Sequence, residues 1–177
     1  MYLIVLIITI IVLSLLGLSI FYYARSCRKL EATVTNHWGT ISSIYQERLN
    51  TLYTAAQEAA HGGNQEVEHK TRRVINATAW AITHRDPTHL PAADTAVDTI
   101  IIPALTSSRQ GDGGASIGLT YNRTQPQLTQ AVEDYNAAVL EYRRYASNWH
   151  KIQRAARRTP HEWALFTGYE RENMRAA

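Results

Sequence analysis

Seven histidines are the residues of this 177-residue chain best suited to do chemistry. Two pairs stand close enough in sequence to consider a shared metal ion: His61 with His69, and His84 with His89. A zinc site built on a helix needs its imidazoles one turn apart, at i and i+4, so that both leave the same face. Neither pair has that spacing. His161-Glu162 begins a zinc-protease motif without the second histidine, and no CxxC accompanies it, because Cys27 is the single cysteine. The acids offer no more: Glu66 with Glu68, and Glu133 with Asp134, leave a helix on different faces and form no acid/base pair. The glycine-rich stretch SSRQGDGGAS, Ser107 to Ser116, lacks both phosphate-cradling glycine spacings, and no G-x-S-x-G supplies a nucleophile. The expectation is no enzyme, with catalytic, cofactor and metal residues all absent and no small-molecule substrate. An enzyme with an unrecognised site ranks last.

The elements that would carry any function begin with residues 1–24, which hold no charged side chain. At ~1.5 Å per residue, Leu3–Phe21 reaches about the ~30 Å of hydrocarbon that a spanning helix crosses. A cleaved signal peptide needs a basic n-region before the apolar run and small residues after it. Here Met1 and Tyr2 precede the run, and Tyr22, Tyr23, Arg25, Arg28 and Lys29 follow it. The expectation is a retained transmembrane anchor with the N-terminus outside and the following domain cytoplasmic, because Lys and Arg flanking a span stay on the cytoplasmic side. Tyr22 and Tyr23 suit the interfacial aromatic belt. The lone Cys27 excludes an intrachain disulfide. The sequons at Asn76 and Asn122 would matter only for a lumenal domain. A net charge of +3 does not argue for nucleic acid, although Arg154, Arg157 and Arg158 could meet phosphate or anionic headgroups.

Beyond the anchor, Val34, Trp38, Ile41, Tyr45, Leu49, Leu52, Ala56 and Ala59 recur at the three- and four-residue steps of one helical face. The membrane helix can run on into this one, until Gly62-Gly63-Asn64 stops it. A second helix is expected over 65–84, ended by Asp86-Pro87 and Leu90-Pro91. Residues 86–123 read as an irregular connector, containing a short helix within 94–108 whose Pro103 forbids one unbroken run. Thr124-Gln125-Pro126-Gln127 reads as a capping box opening a helix over 124–158. In that helix Leu128, Val132, Tyr135, Val139, Tyr142, Ala146 and Trp149 keep a strict heptad, so the face packs in coiled-coil fashion, tyrosine rings inward.

Taken together, an anchor, an amphipathic helix with an early tryptophan, a hairpin and a late helix bearing Tyr135-Asn136-x-Ala138-Val139-x-x-Tyr142 resemble the LemA family. Trp38 with Ile41, and Arg48 followed by Asn50 and Leu52, are similar to that family's tryptophan and Arg-x-Asp-Leu-Ile segments. Pro160 and Phe166-x-Gly168-Tyr169 are similar to its closing motif. Asn50, Tyr53, Asp134 and Arg143 depart from the pattern, and the interval from Tyr142 to Pro160 is longer. The resemblance implies a short anchor with an external N-terminus, a cytoplasmic antiparallel helical bundle and no established enzymatic activity.

The expected protein is therefore all-α: a transmembrane anchor over 1–24, an antiparallel bundle with coiled-coil-like packing over 25–158, and a tail over 159–177. Its packing seam comprises Trp38, Ile41, Tyr45, Leu52, Leu128, Val132, Tyr135, Val139, Tyr142 and Trp149. Trp163, Phe166 and Tyr169 either form a partner surface or fold back onto the bundle. The expected role is a bacterial inner-membrane, single-pass scaffold whose partners are membrane lipid and further copies or a membrane protein complex. The alternative is a phage or conjugative envelope component of a secretion or lysis apparatus, with a periplasmic domain.

Overall fold

The computed structural model describes residues 2–106, 112–155 and 163–167, with the side chains of 112, 113 and 148–155 outside that description. It is all-helical, with no strand among the described residues. The elements are α1 (Tyr2–His61), α2 (Gln65–His84), α3 (Leu90–Ala96), a π-helical turn (Val97–Ile101), α4 (Ile102–Thr106) and α5 (Asp112–Ala155). The chain divides into two compact units. One holds residues 1–35 and 138–162, the other residues 36–137 and 163–177.

The first unit contains the start of α1, where the apolar run lies. That helix is long and apolar enough to cross a membrane, and none of its most apolar window is buried. Past the run, one face of α1 turns inward: Cys27 and Val34 are buried. Tyr23 stacks on Tyr145 of α5 with ring centroids 5.3 Å apart and donates its hydroxyl to the Tyr145 carbonyl. Val139, Tyr142 and Ala146 line the inner face of α5 in this unit.

In the second unit, α1 ends as its glycines require. Gly63 adopts φ of 74°, which costs a residue without Cβ little, and the Asn64 N–H returns to the Ala59 carbonyl at 2.9 Å. Asn64 then caps α2, accepting the Val67 N–H at 3.3 Å. The apolar core of this unit joins Leu49, Leu52, Ala56 and Ala59 of α1 to Val67 and Ile75 of α2, Val97, Ile101 and Leu105 of the connector, and Ile117 and Tyr121 of α5. Buried Thr71 and Thr78 satisfy their hydroxyls by donating to the Val67 and Val74 carbonyls, one turn back.

The connector departs from expectation. Residues 90–106 are helical, because Leu90, Val97, Ile101 and Leu105 bury against the core in helical register. Pro103 is accommodated by widening the turn before it, where the Ile102 N–H reaches back five residues to the Val97 carbonyl. Likewise α5 opens at Asp112 rather than Thr124, and Pro126 lies inside it. Ile117 and Tyr121 belong to the core, so the packing gained by helix upstream outweighs the one hydrogen bond that proline removes. The glycine-rich stretch 107–116, part of the expected irregular connector, lies partly outside the described residues, but its end is helical. A Cβ on Gly114 would stand 2.6 Å from Thr106 Oγ1 and 3.2 Å from the Ile102 carbonyl, so glycine there permits the close approach of α4.

Candidate functional site: a buried arginine and an aromatic clamp

Polar groups concentrate at two places in the second unit. At the first, Arg48 leaves the apolar face of α1, three residues from Tyr45, and is only 1 % exposed. A guanidinium so placed must be neutralised and hydrogen-bonded, since an unpaired buried charge costs several kcal/mol, on the order of 3–5 once a partner is removed. Asp94 of α3 supplies the charge, with Oδ2 2.9 Å from Arg48 Nη1. Arg48 Nε donates to Thr124 Oγ1 at 2.9 Å, and Nη2 donates to Gln125 Oε1 at 2.8 Å and to the Tyr121 carbonyl. Tyr45 donates its hydroxyl to the same Asp94 oxygen at 2.8 Å. The guanidinium carbon lies 4.3 Å from the centre of the Tyr121 ring and 5.7 Å from that of Tyr45, so its faces are covered by π systems while its edge is hydrogen-bonded. Burial pushes the Tyr121 hydroxyl well above the usual tyrosine range; Asp94 adds to this, and Arg48 partly opposes it. This arrangement ties α1, α3 and α5 together.

At the second place, Trp38, Tyr135 and Phe166 form a triangle of rings with centroids 5.7, 5.9 and 5.5 Å apart, Tyr135 and Phe166 meeting edge to face. The segment 163–167, which has no regular secondary structure, lies against α5. Tyr135 donates its hydroxyl to the Ala164 carbonyl at 2.9 Å. The Asn136 side chain accepts the Phe166 N–H at 3.0 Å and donates to the Phe166 carbonyl at 3.2 Å, so one amide holds both polar groups of one residue. Arg85, in the left-handed region at φ of 53° where α2 ends, sets its guanidinium 5.4 Å from the Trp163 ring. Trp163 and Phe166 are thus buried, and in this conformation they do not present the exposed partner surface the sequence had offered as one outcome. Tyr169 lies outside the described residues.

No protein-family model, no curated protein and no solved structure matches this chain.

The other residues singled out in the sequence are placed as follows. Trp38, Ile41, Tyr45, Leu52, Leu128, Val132, Tyr135, Val139 and Tyr142 are all buried, and the Trp149 side chain lies outside the description. No three metal-ligating side chains converge among the described residues. His84 stacks on Trp80 at 4.4 Å, and His89 meets Asp86 at 2.8 Å in the turn between α2 and α3. The Thr88 hydroxyl is the main cause of the lowered Asp86 carboxyl. Burial, then Glu31, pushes the Cys27 thiol up, away from the reactive thiolate. Sequence reasoning missed Asp94, Gln125 and the clamping role of Asn136. One signal was present: an arginine on an otherwise apolar face requires a buried acid, and Asp94 is among the few acids between α2 and α5.

Proposed function

We propose that this chain is a single-pass inner-membrane scaffold resembling the LemA family, its N-terminus outside and its helical body in the cytoplasm, acting by binding within a homo-oligomer or membrane assembly. The observation that carries the reading is the run from Leu3 to Phe21, an apolar helix with none of its most apolar window buried, followed at once by Arg25, Arg28 and Lys29. Each such side chain left in water forgoes about 1.5–3 kcal/mol of burial, so the segment calls for a hydrocarbon surrounding. The order of contacts in the second unit supports an antiparallel bundle: Trp38 meets Tyr135, Arg48 meets Thr124, and Thr51 meets Thr120. The heptad burial of Leu128, Val132 and Tyr135 supports coiled-coil-like packing. The specific part of the likeness to LemA proteins is Tyr135, Asn136, Ala138, Val139 and Tyr142.

Topology is tested with a membrane-impermeant maleimide. Cys27 is buried, so the label is directed to exposed Ser116 as Ser116→Cys in a Cys27→Ala background. The expected result is no labelling until the inner membrane is opened. Labelling while it is intact places the domain in the periplasm and favours the envelope-apparatus alternative. A strict monomer in mild detergent, with no co-purifying membrane protein, counts against the scaffold role.

A further inference from the structure

The face of α1 just past the apolar run is polarised. Arg25, Arg28 and Lys29 leave it at the three- and four-residue spacing of a single face, and all three are exposed. With Phe21 on the side of the run and Ala32 a turn beyond, they line one shallow surface depression in which apolar side chains flank the three cations. Among the described residues none of the three forms an ion pair. The one acid before Glu47, Glu31, is partly buried and acts on Cys27 and Tyr142, the pair on the inner face. The inner face is occupied by protein, through Tyr23 on Tyr145 and the burial of Cys27 and Val34. On α5 the same unit carries exposed Arg143 and Arg144 beside Tyr145, with Glu141 the acid among them. An ordinary solvated helix face interleaves both signs. On α1 between residues 25 and 35 the exposed charges are all cationic.

We propose that Arg25, Arg28 and Lys29 form a binding site for the phosphate of an anionic phospholipid headgroup, whose acyl chain lies against Phe21 and the apolar run. The inference rests on the membrane-anchored reading, which sets these cations at headgroup depth. Charge complementarity selects the headgroup, and Phe21 with the adjoining apolar run selects a lipid over a free anion, because only a lipid satisfies both at once. Three cations beside one anionic surface strengthen attraction about five-fold each, weakening as salt screens them.

The full chain is reconstituted in nanodiscs of phosphatidylcholine containing a minority of phosphatidylglycerol, then released into detergent, and the retained lipids are counted by native mass spectrometry. Headgroups face both sides of the disc, so insertion orientation does not affect the reading. The expected result is several-fold enrichment of phosphatidylglycerol on the wild type. The combined variant Arg25→Gln, Arg28→Gln, Lys29→Gln loses it, each single variant loses part, and Arg72→Gln with Arg73→Gln on α2 keeps it. Helical circular dichroism confirms that the variants fold. Equal enrichment in wild type and triple variant overturns the proposal. So does displacement of the lipid by inorganic phosphate but not by chloride at matched ionic strength, which would make this a free-anion site. Failure of the anchor reading shows separately, as release of the native protein from membranes by alkaline carbonate.

Discussion

Arg28 and Arg48 sit on one helix and have opposite fates. Arg48 is enclosed in the unit built from residues 36–137, where Asp94, Thr124, Gln125 and the Tyr121 carbonyl take up its donors. Arg28 belongs to the other unit, exposed, with no ion pair among the described residues. The same side chain is structural where its hydrogen bonds are met internally and available for binding where they are not. The second unit's two polar centres, dense as they are, tie α1, α3, α5 and the segment 163–167 together.

The comparison can be broken by mutation, beginning where the effect is largest. Arg48→Ala leaves the Asp94 carboxylate without its cation and should destabilise the domain by about 3–5 kcal/mol in urea titrations in detergent. A shift below about 1 kcal/mol would mean the network is not what ties these helices together. Phe166→Ala should cost about 3 kcal/mol by emptying the ring triangle. Asn136→Ala should cost about 1–2 kcal/mol and raise hydrogen exchange at Phe166 more than elsewhere. Exchange rising equally across α5 would show Asn136 acting on the helix rather than on the segment it clamps.

The next effect is one of pH. The folded-state pKa of Tyr121 is raised, so its contribution to stability is complete below the ordinary tyrosine range and declines as pH rises through and above it. This one group adds a slope of up to about 1.4 kcal/mol per pH unit, and Tyr121→Phe should remove that share. An unchanged slope in that variant assigns the alkaline loss to other groups. Smallest of all, Arg28→Gln should move stability by less than about 0.5 kcal/mol, because nothing buried depends on it. A larger loss would erase the contrast between the two arginines.

How far these features could be read beforehand follows from how local each one is. The stop at Gly62-Gly63-Asn64, the helix over Gln65–His84 and the buried heptad face were legible, since period and capping act within a few residues. The start of α5 was misplaced because Thr124-Gln125-Pro126-Gln127 has the form of a cap. In the structure the Thr124 hydroxyl instead donates to the Thr120 carbonyl within the helix and accepts from Arg48. The connector was misread as irregular for a related reason: Pro103 is a local signal against helix, whereas the burial of Val97, Ile101 and Leu105 that favours it is tertiary.

By itself, the sequence determined an all-helical chain whose first helix is long and apolar enough for a bilayer, since backbone hydrogen bonding, residue period and hydrophobic run length are properties of neighbours along the chain. Only the tertiary structure decided which polar residues are consumed and which stay available. Arg48 finds Asp94 across 46 positions and Thr124 across 76, and Asn136 holds Phe166 across 30, pairings that depend on how helices pack and that no local pattern encodes.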